Sequence, residues 1–241
     1  STHEIRAVNI GFNRMTHKLA KIEKDRVIML AGISHDLRTP LARLRLEAEL
    51  SVPDAEAREN MANDIAQLDA IIGKFLDYAR PGGMALQPVS LNAVMDSALV
   101  PLRKRSDMQF RVALQDRLLV LADPVELQRV IGNLLENAGR YGKSANRDIA
   151  EVEISARYHN KKVLLRIRDH GPGVPADQLR QLTTPFFRGD SGRTATNSTG
   201  LGLAIVEQTL SRMGGVLELS NASSGGLCAN LLLKRANGEP A

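Results

Sequence analysis

Over the first eighty residues apolar side chains recur at intervals of three and four, the spacing that places them on one face of a helix. Ile5, Val8, Phe12, Met15, Leu19 and Ile22 form one set. Val27, Leu30, Leu37, Leu41, Leu44 and Ala48, with Ser34 among them, form a second. The first set predicts an apolar residue at Arg26, yet the pattern resumes at Val27, a phase shift that can alter supercoiling locally. Ser51-Val52-Pro53-Asp54 interrupts the helix, and a second amphipathic stretch carries Met61, Ile65, Leu68, Ile72, Phe75 and Ala79. Two such helices joined by a short turn predict an antiparallel hairpin. One hairpin cannot cover both apolar seams, so a four-helix bundle built from two chains is expected, a homodimer through residues 24–80.

Arg80-Pro81-Gly82-Gly83 reads as a flexible joint, and the pattern changes after it. Strand-like runs occupy Phe110–Leu114, Leu118–Leu121, Glu151–Arg157, Val163–Arg168, Val216–Ser220 and Leu227–Leu233. Helical runs occupy Leu91–Lys104, Pro124–Arg140 and Leu201–Met213. Strands and helices mixed without strict alternation predict an α+β sandwich, one sheet with helices on one face.

Composition narrows the choice. A chain of 241 residues can bury two modest cores. No run of about 18 apolar residues is present and no signal-peptide pattern opens the chain. The chain begins at Ser1 and not Met, which reads as a cut fragment or a processed product, and the fragment is expected to be soluble. The single Cys228 excludes an internal disulfide framework and reads as a small core residue. Net charge is +5 and unevenly placed: residues 1–81 hold 12 basic and 12 acidic side chains, residues 82–241 hold 20 and 15. With aromatics at 3% and no Trp, the basic excess reads as solvated surface, and no nucleic-acid partner is expected.

Five clusters carry the candidate chemistry. His35 in Ser34-His35-Asp36-Leu37-Arg38-Thr39-Pro40-Leu41 lies beside the helical seam, reachable from outside. Thr39 shares its face, and Pro40 has no N–H for the carbonyl of Asp36, which weakens the helix there. Asn133 and Asn137 stand one turn apart, and paired amide oxygens suit a hard cation such as Mg²⁺ that keeps most of its waters. Asp169-His170-Gly171-Pro172-Gly173 follows a strand, and its glycines permit a sharp turn and a close backbone approach. Pro185-Phe186-Phe187-Arg188-Gly189 leads into a small, polar stretch read as a lid. Thr199-Gly200-Leu201-Gly202-Leu203 opens an apolar helix whose free N-terminal amides suit phosphate.

Taken in this order and spacing, the clusters resemble the H, N, G1, F and G2 boxes of bacterial two-component sensor histidine kinases over residues 24–235. Within that family the H-box phrase and the Arg-Gly-Asp-Ser after the two phenylalanines look most like the EnvZ osmosensor type. The stretch around Glu4-Ile5 and Phe12-Asn13-Arg14-Met15 resembles the last helix of a HAMP linker. The resemblance implies a HAMP-like helix end (1–23), a dimerisation and phosphotransfer hairpin (24–81), a linker (82–88), a Bergerat-type ATP-binding domain (89–235) and a disordered tail (236–241). It implies the cytoplasmic portion of an inner-membrane protein whose full length is membrane-anchored.

The same resemblance assigns roles. His35 would accept the γ-phosphoryl of ATP and pass it to an aspartate in the receiver domain of a response regulator. Asp36, Arg38 and Thr39 belong to that catalytic segment, Thr39 through a regulator phosphatase activity. Asp169 would accept a hydrogen bond from the adenine amino group and Asn137 would ligate Mg²⁺. Asn133, Arg140 and Tyr141 would line the phosphate side, Gly200 and Gly202 would bring N–H groups to the phosphates, and Phe186 and Phe187 would anchor the lid. Gly171, Gly173, Arg188, Thr199, Leu201 and Leu203 complete the nucleotide-binding set. Two departures are visible: Ser198 where the family has the first glycine of the G2 box, and Arg140 where many relatives have Lys. The rivals are an ATPase clamp of the same superfamily, disfavoured because Asn133 replaces the water-activating glutamate, and a nucleotide-sensing dimeric scaffold.

Overall fold

The structure is a computed structural model that describes residues 2–79, 83–144, 146–189 and 199–237, the side chains of residues 2–4 excepted. Arg80–Gly82 of the expected joint, most of the expected lid and Ser198 lie outside the described residues. The chain forms two units, Ser1–Gly82 and Gly83–Ala241.

In the first unit α1 (Thr2–Ser51) packs on α2 (Ala55–Ala79). Helix α1 runs through Pro40 without a break, and its 50 residues give a length of about 75 Å. Residues 52–54 make the turn, and Asp54 caps α2 by accepting a bond from the Ala57 N–H at 3.0 Å. Ser34 and Ala48 are buried against α2 within one hairpin. Leu37 and Leu44, from the same predicted seam, remain 47% and 52% exposed, as do Ile33, Met61, Leu68 and Ile71 in comparable measure. A single hairpin therefore closes only part of the seam, which is what the spacing of apolar residues on both helices requires.

The second unit is an α/β sandwich. Its strands are β1 (Gln87–Ser90), β2 (Met108–Leu114), β3 (Leu119–Ala122), β4 (Ala150–His159), β5 (Lys162–Asp169), β6 (Val216–Asn221) and β7 (Leu227–Lys234). Five pair in the order β2-β4-β5-β7-β6; β2 and β4 are parallel and the other pairs antiparallel. Helices α3 (Leu91–Leu102), α4 (Pro124–Tyr141) and α5 (Gly202–Arg212) complete the layer, with α4 against β4 and β5 and α5 against β6. The core alternates along the strands: Val152, Ile154 and Ala156 on β4, Val163, Leu165 and Ile167 on β5, and Ala229, Leu231 and Leu233 on β7 all face the helices.

Two expectations need correcting. The linker assigned to 82–88 already contains the start of β1, which pairs antiparallel with β3 in a separate two-stranded sheet. Ala236, assigned with the chain terminus to a disordered tail, is buried and donates its N–H to the Leu119 carbonyl at 3.0 Å. Cys228 is buried and free, as its apolar run suggests.

Candidate functional site

Helix α4 begins where Asp123 accepts bonds from the N–H groups of Val125 and Glu126, with Pro124 supplying a preset first turn. Its apolar face, including Leu127, Ile131, Leu134, Leu135 and Ala138, is buried on the sheet, which fixes the helix's rotation. Asn133 is 3% exposed and its Nδ2 donates to the Arg129 carbonyl at 3.0 Å. That bond turns Oδ1 the other way, toward Gly202: a Cβ placed on Gly202 would stand 3.7 Å from Asn133 Oδ1 and 3.6 Å from Asn137 Oδ1. Two amide oxygens on successive turns of α4 thus converge on the N-terminus of α5.

At that terminus Leu201, in the cap position, makes no side-chain bond to the first turn. Thr199 Oγ1 accepts from the Leu201 N–H at 3.3 Å. The N–H groups of a helix start with no cap, plus the dipole, favour an anion. Gly200 has a different job. Its φ is +67°, and a Cβ there would lie 2.8 Å from Phe186 C and Phe187 O. The Phe186 N–H donates to the Gly200 carbonyl at 3.0 Å, so the phenylalanine segment and the glycine loop are tied backbone to backbone. Phe186 itself sits at φ +63° with its ring 59% exposed, while Phe187 and Arg188 are half-buried.

Asp169 ends β5 and is 7% exposed. Its Oδ1 accepts from the N–H groups of Gly171 and Leu227, both at 3.0 Å. Burial pushes the carboxyl above its ordinary range, and these two bonds together with His170 and Arg168 pull the other way. Glycines surround it: a Cβ on Gly226 would strike the Asp169 carbonyl, one on Gly142 would lie 2.6 Å from Asp169 Cβ, and one on Gly171 2.4 Å from the Tyr141 carbonyl. Gly173 (φ +74°) is held by Asn221, which accepts from the Val174 N–H at 3.0 Å and donates to its carbonyl at 2.6 Å. Tyr141 is half-buried beside this turn, and Arg140, on the exposed side of α4, pairs with Glu136 at 3.4 Å. Leu201 is fully buried, and Leu203 packs on the core.

The first unit displays its histidine differently. The His35 side chain is 84% exposed, with Nδ1 3.5 Å from Asp36 Oδ1. Thr39 Oγ1 donates to the His35 carbonyl at 3.4 Å. Arg38 crosses to the other helix, its Nε donating to Asp69 Oδ1 at 2.7 Å, and its guanidinium lies over Gly73.

Sequence reasoning missed Asp69, Asn221 and the Gly225-Gly226 pair. Only the last left a signal, a Ser-Ser-Gly-Gly turn before the final strand; the others are defined by partners far away in the chain. Among the described residues no cluster of three His, Cys, Asp or Glu side chains could hold a metal by itself. Asn133 and Asn137 still fit Mg²⁺, because that ion commonly takes only one or two protein oxygens and completes its shell with water and substrate phosphate.

Comparison with known proteins agrees with this division. Residues 25–83 match the family model described as the His Kinase A (phospho-acceptor) domain, and residues 122–237 match that of the histidine kinase-, DNA gyrase B- and HSP90-like ATPase. The chain therefore carries a phosphoacceptor domain followed by an ATPase-type domain, the pair that defines histidine kinases. It is homologous to sensor histidine kinases of the MprB type. The signal transduction histidine-protein kinase/phosphatase MprB of Mycolicibacterium smegmatis is 30% identical over 239 residues, covering 92% of this chain and 48% of the relative. The sensor histidine kinase GtrS of Pseudomonas aeruginosa is 32% identical over 235 residues, covering 96% and 47%. The chain thus spans about half the length of the curated relatives it matches. In fold, the full-length ShkA structure in complex with AMPPNP matches with a TM-score of 0.69 at 22% identity, over 87% of this chain and 46% of that one.

Proposed function

We propose that this chain is the kinase portion of a sensor histidine kinase that transfers the γ-phosphoryl group of ATP to His35 and then to an aspartate of a response regulator, and that also dephosphorylates that regulator. The observation that carries the reading is a solvent-exposed imidazole on a phosphoacceptor-type helix in one unit, together with a nucleotide-type site in the other, where a buried carboxylate adjoins the C-terminal end of α4 and the start of α5 faces Asn133 and Asn137.

In this reading Asp169 Oδ2 accepts the adenine amino hydrogen bond while Oδ1 stays engaged with Gly171 and Leu227. The N–H groups at the start of α5 take the phosphates, and a side chain on Gly202 would fill the space they need. Asn137, with Asn133 beside it, holds Mg²⁺, which supplies charge neutralisation to the phosphates. Arg140, Tyr141, Phe186, Phe187, Arg188, Thr199, Gly200, Leu201 and Leu203 border that space. His35 attacks through Nε2, and Asp36 takes the Nδ1 hydrogen bond, shortening the present 3.5 Å separation as the ring turns. Asn133 has no basic group to activate water and its Nδ2 is committed to Arg129, which favours phosphoryl transfer over steady hydrolysis.

Thr39 serves the reverse direction, helping to hold a water against the phosphorylated regulator. The relatives named kinase/phosphatase support this assignment. The exposed apolar residues of both helices support a homodimer through residues 24–80. The HAMP-like start, a membrane-anchored full-length protein whose cytoplasmic part this is, and the EnvZ osmosensor type rest on the sequence resemblance. Thr39→Ala tests the two directions separately: autophosphorylation persists and regulator dephosphorylation is lost, and unchanged dephosphorylation would remove Thr39 from the mechanism.

A further inference from the structure

Three arginines of the second unit stand on the face of the five-stranded sheet that points away from the helices, Arg111 on β2 and Arg166 and Arg168 on β5. Pairing register puts Arg111, Glu153 and Arg168 side by side in one row across β2, β4 and β5. Arg166 stands in the next row, directly opposite Ser155 on one side and Asn230 on the other. Neighbouring strands are about 4.8 Å apart, so the three guanidinium groups cover a strip about 10 Å wide.

Two grooves follow that strip. One, of about 270 Å³, is lined by Arg111, Glu153, Ser155, Arg166 and Arg168. The other, of about 340 Å³, shares Arg111 and Glu153 but turns round the sheet edge to Arg103 and the helix-facing Met108, Phe110 and Val152. Glu153 is overdrawn: Arg111 lies 3.7 Å from it, Arg168 3.8 Å and His170 3.0 Å. Arg166 finds no carboxylate among the described residues; its Nε rests 3.0 Å from Cys228 Sγ. Arg168 is held in place by Ser224 and the Gly225 carbonyl, and its Nε is shut off from solvent with no acceptor among the described residues.

We infer that this outer sheet face is a binding site for a small organic anion bearing two or more carboxylate or phosphate groups. Planar guanidinium forks suit such groups, and the rigid strands and the Ser224–Gly225 anchor present them already aligned. Groove volume favours a small molecule over a protein surface. The site lies on the opposite face of the sheet from α4 and α5, so it stands whether or not the nucleotide reading above is right.

The test is isothermal titration of the full chain with citrate and with inorganic pyrophosphate, each against sodium chloride of equal ionic strength. One citrate binds per chain, and Arg111→Gln combined with Arg166→Gln, both exposed, weakens that binding at least tenfold. Ser155→Glu, which puts a carboxylate between the arginines, does the same without removing a cation. Asn137→Ala leaves citrate binding unchanged. Heats no larger than those of sodium chloride, binding unaffected by both groove variants, or binding lost in Asn137→Ala would each overturn the assignment.

Discussion

Asp169→Asn separates the structural work of this carboxylate from its chemical work. Oδ1 accepts both backbone bonds, from Gly171 and Leu227, and an asparagine Oδ1 can accept the same two. The change falls on the second atom, where an NH₂ donor replaces the acceptor that the proposed adenine contact requires. Two donors then face each other in a dry site, a mismatch of about 1–3 kcal/mol, or roughly 5- to 150-fold in nucleotide affinity. Stability moves the other way. Burial raises the pKa of folded Asp169 above that of an ordinary aspartate, so the folded state binds a proton more readily than the unfolded chain. The stabilisation tied to that proton is complete below the unfolded value and disappears as pH rises through the folded one. The charged form at neutral pH is therefore a cost that asparagine does not carry. Thermal unfolding of both proteins across pH 4–8 isolates the effect, because other titrating groups cancel in the difference. Wild type minus variant stability should fall as pH rises from about 4 and flatten above the folded pKa. Asp169→Ala supplies the contrast: it strands two buried N–H groups, at about 1–3 kcal/mol each, and should melt lower. A difference curve that rises with pH would refute the burial argument. A variant that binds adenine nucleotide as wild type does would refute the role of the second oxygen.

Three further predictions follow from the geometry. Gly200→Ala forces a Cβ to within 2.8 Å of the Phe186–Phe187 backbone at a positive φ and should destabilise the second unit by about 1–3 kcal/mol in urea unfolding. Gly202→Ala meets nothing closer than 3.6 Å, so it should leave the melting temperature unchanged or slightly raised while lowering nucleotide affinity by calorimetry. Leu37→Asp with Leu44→Asp places charge on the exposed part of the hairpin seam, and sedimentation equilibrium should show monomer for this variant and dimer for the unsubstituted chain.

The legibility of the sequence depended on whether a feature was local. Periods of three and four marked α1 and α2, and alternation marked β4, β5 and β7, because each pattern repeats within a few residues of itself. The two α4 asparagines and the glycine loop were legible for the same reason. Strand β1 was missed because it has four residues, one of them Pro88, and depends on β3 thirty residues later for its pairing. The enclosure of Asp169 was only half legible. Gly171 stands two residues away, but Gly226 and the Leu227 N–H arrive from β7 and Gly142 from the end of α4, and only the folded sheet brings them together. The Arg38–Asp69 pair escaped for the same reason, since its partners are 31 positions apart on different helices. Ser198, the departure from the family pattern that bears most on the lid, lies outside the described residues.

Incubation of the chain with γ-labelled ATP and Mg²⁺ tests the central claim most directly. The account predicts label on the protein that is acid-labile and alkali-stable, that is absent in His35→Gln, and that passes to the receiver domain of a response regulator. Steady release of inorganic phosphate with no label on the protein, undiminished in His35→Gln, would contradict it.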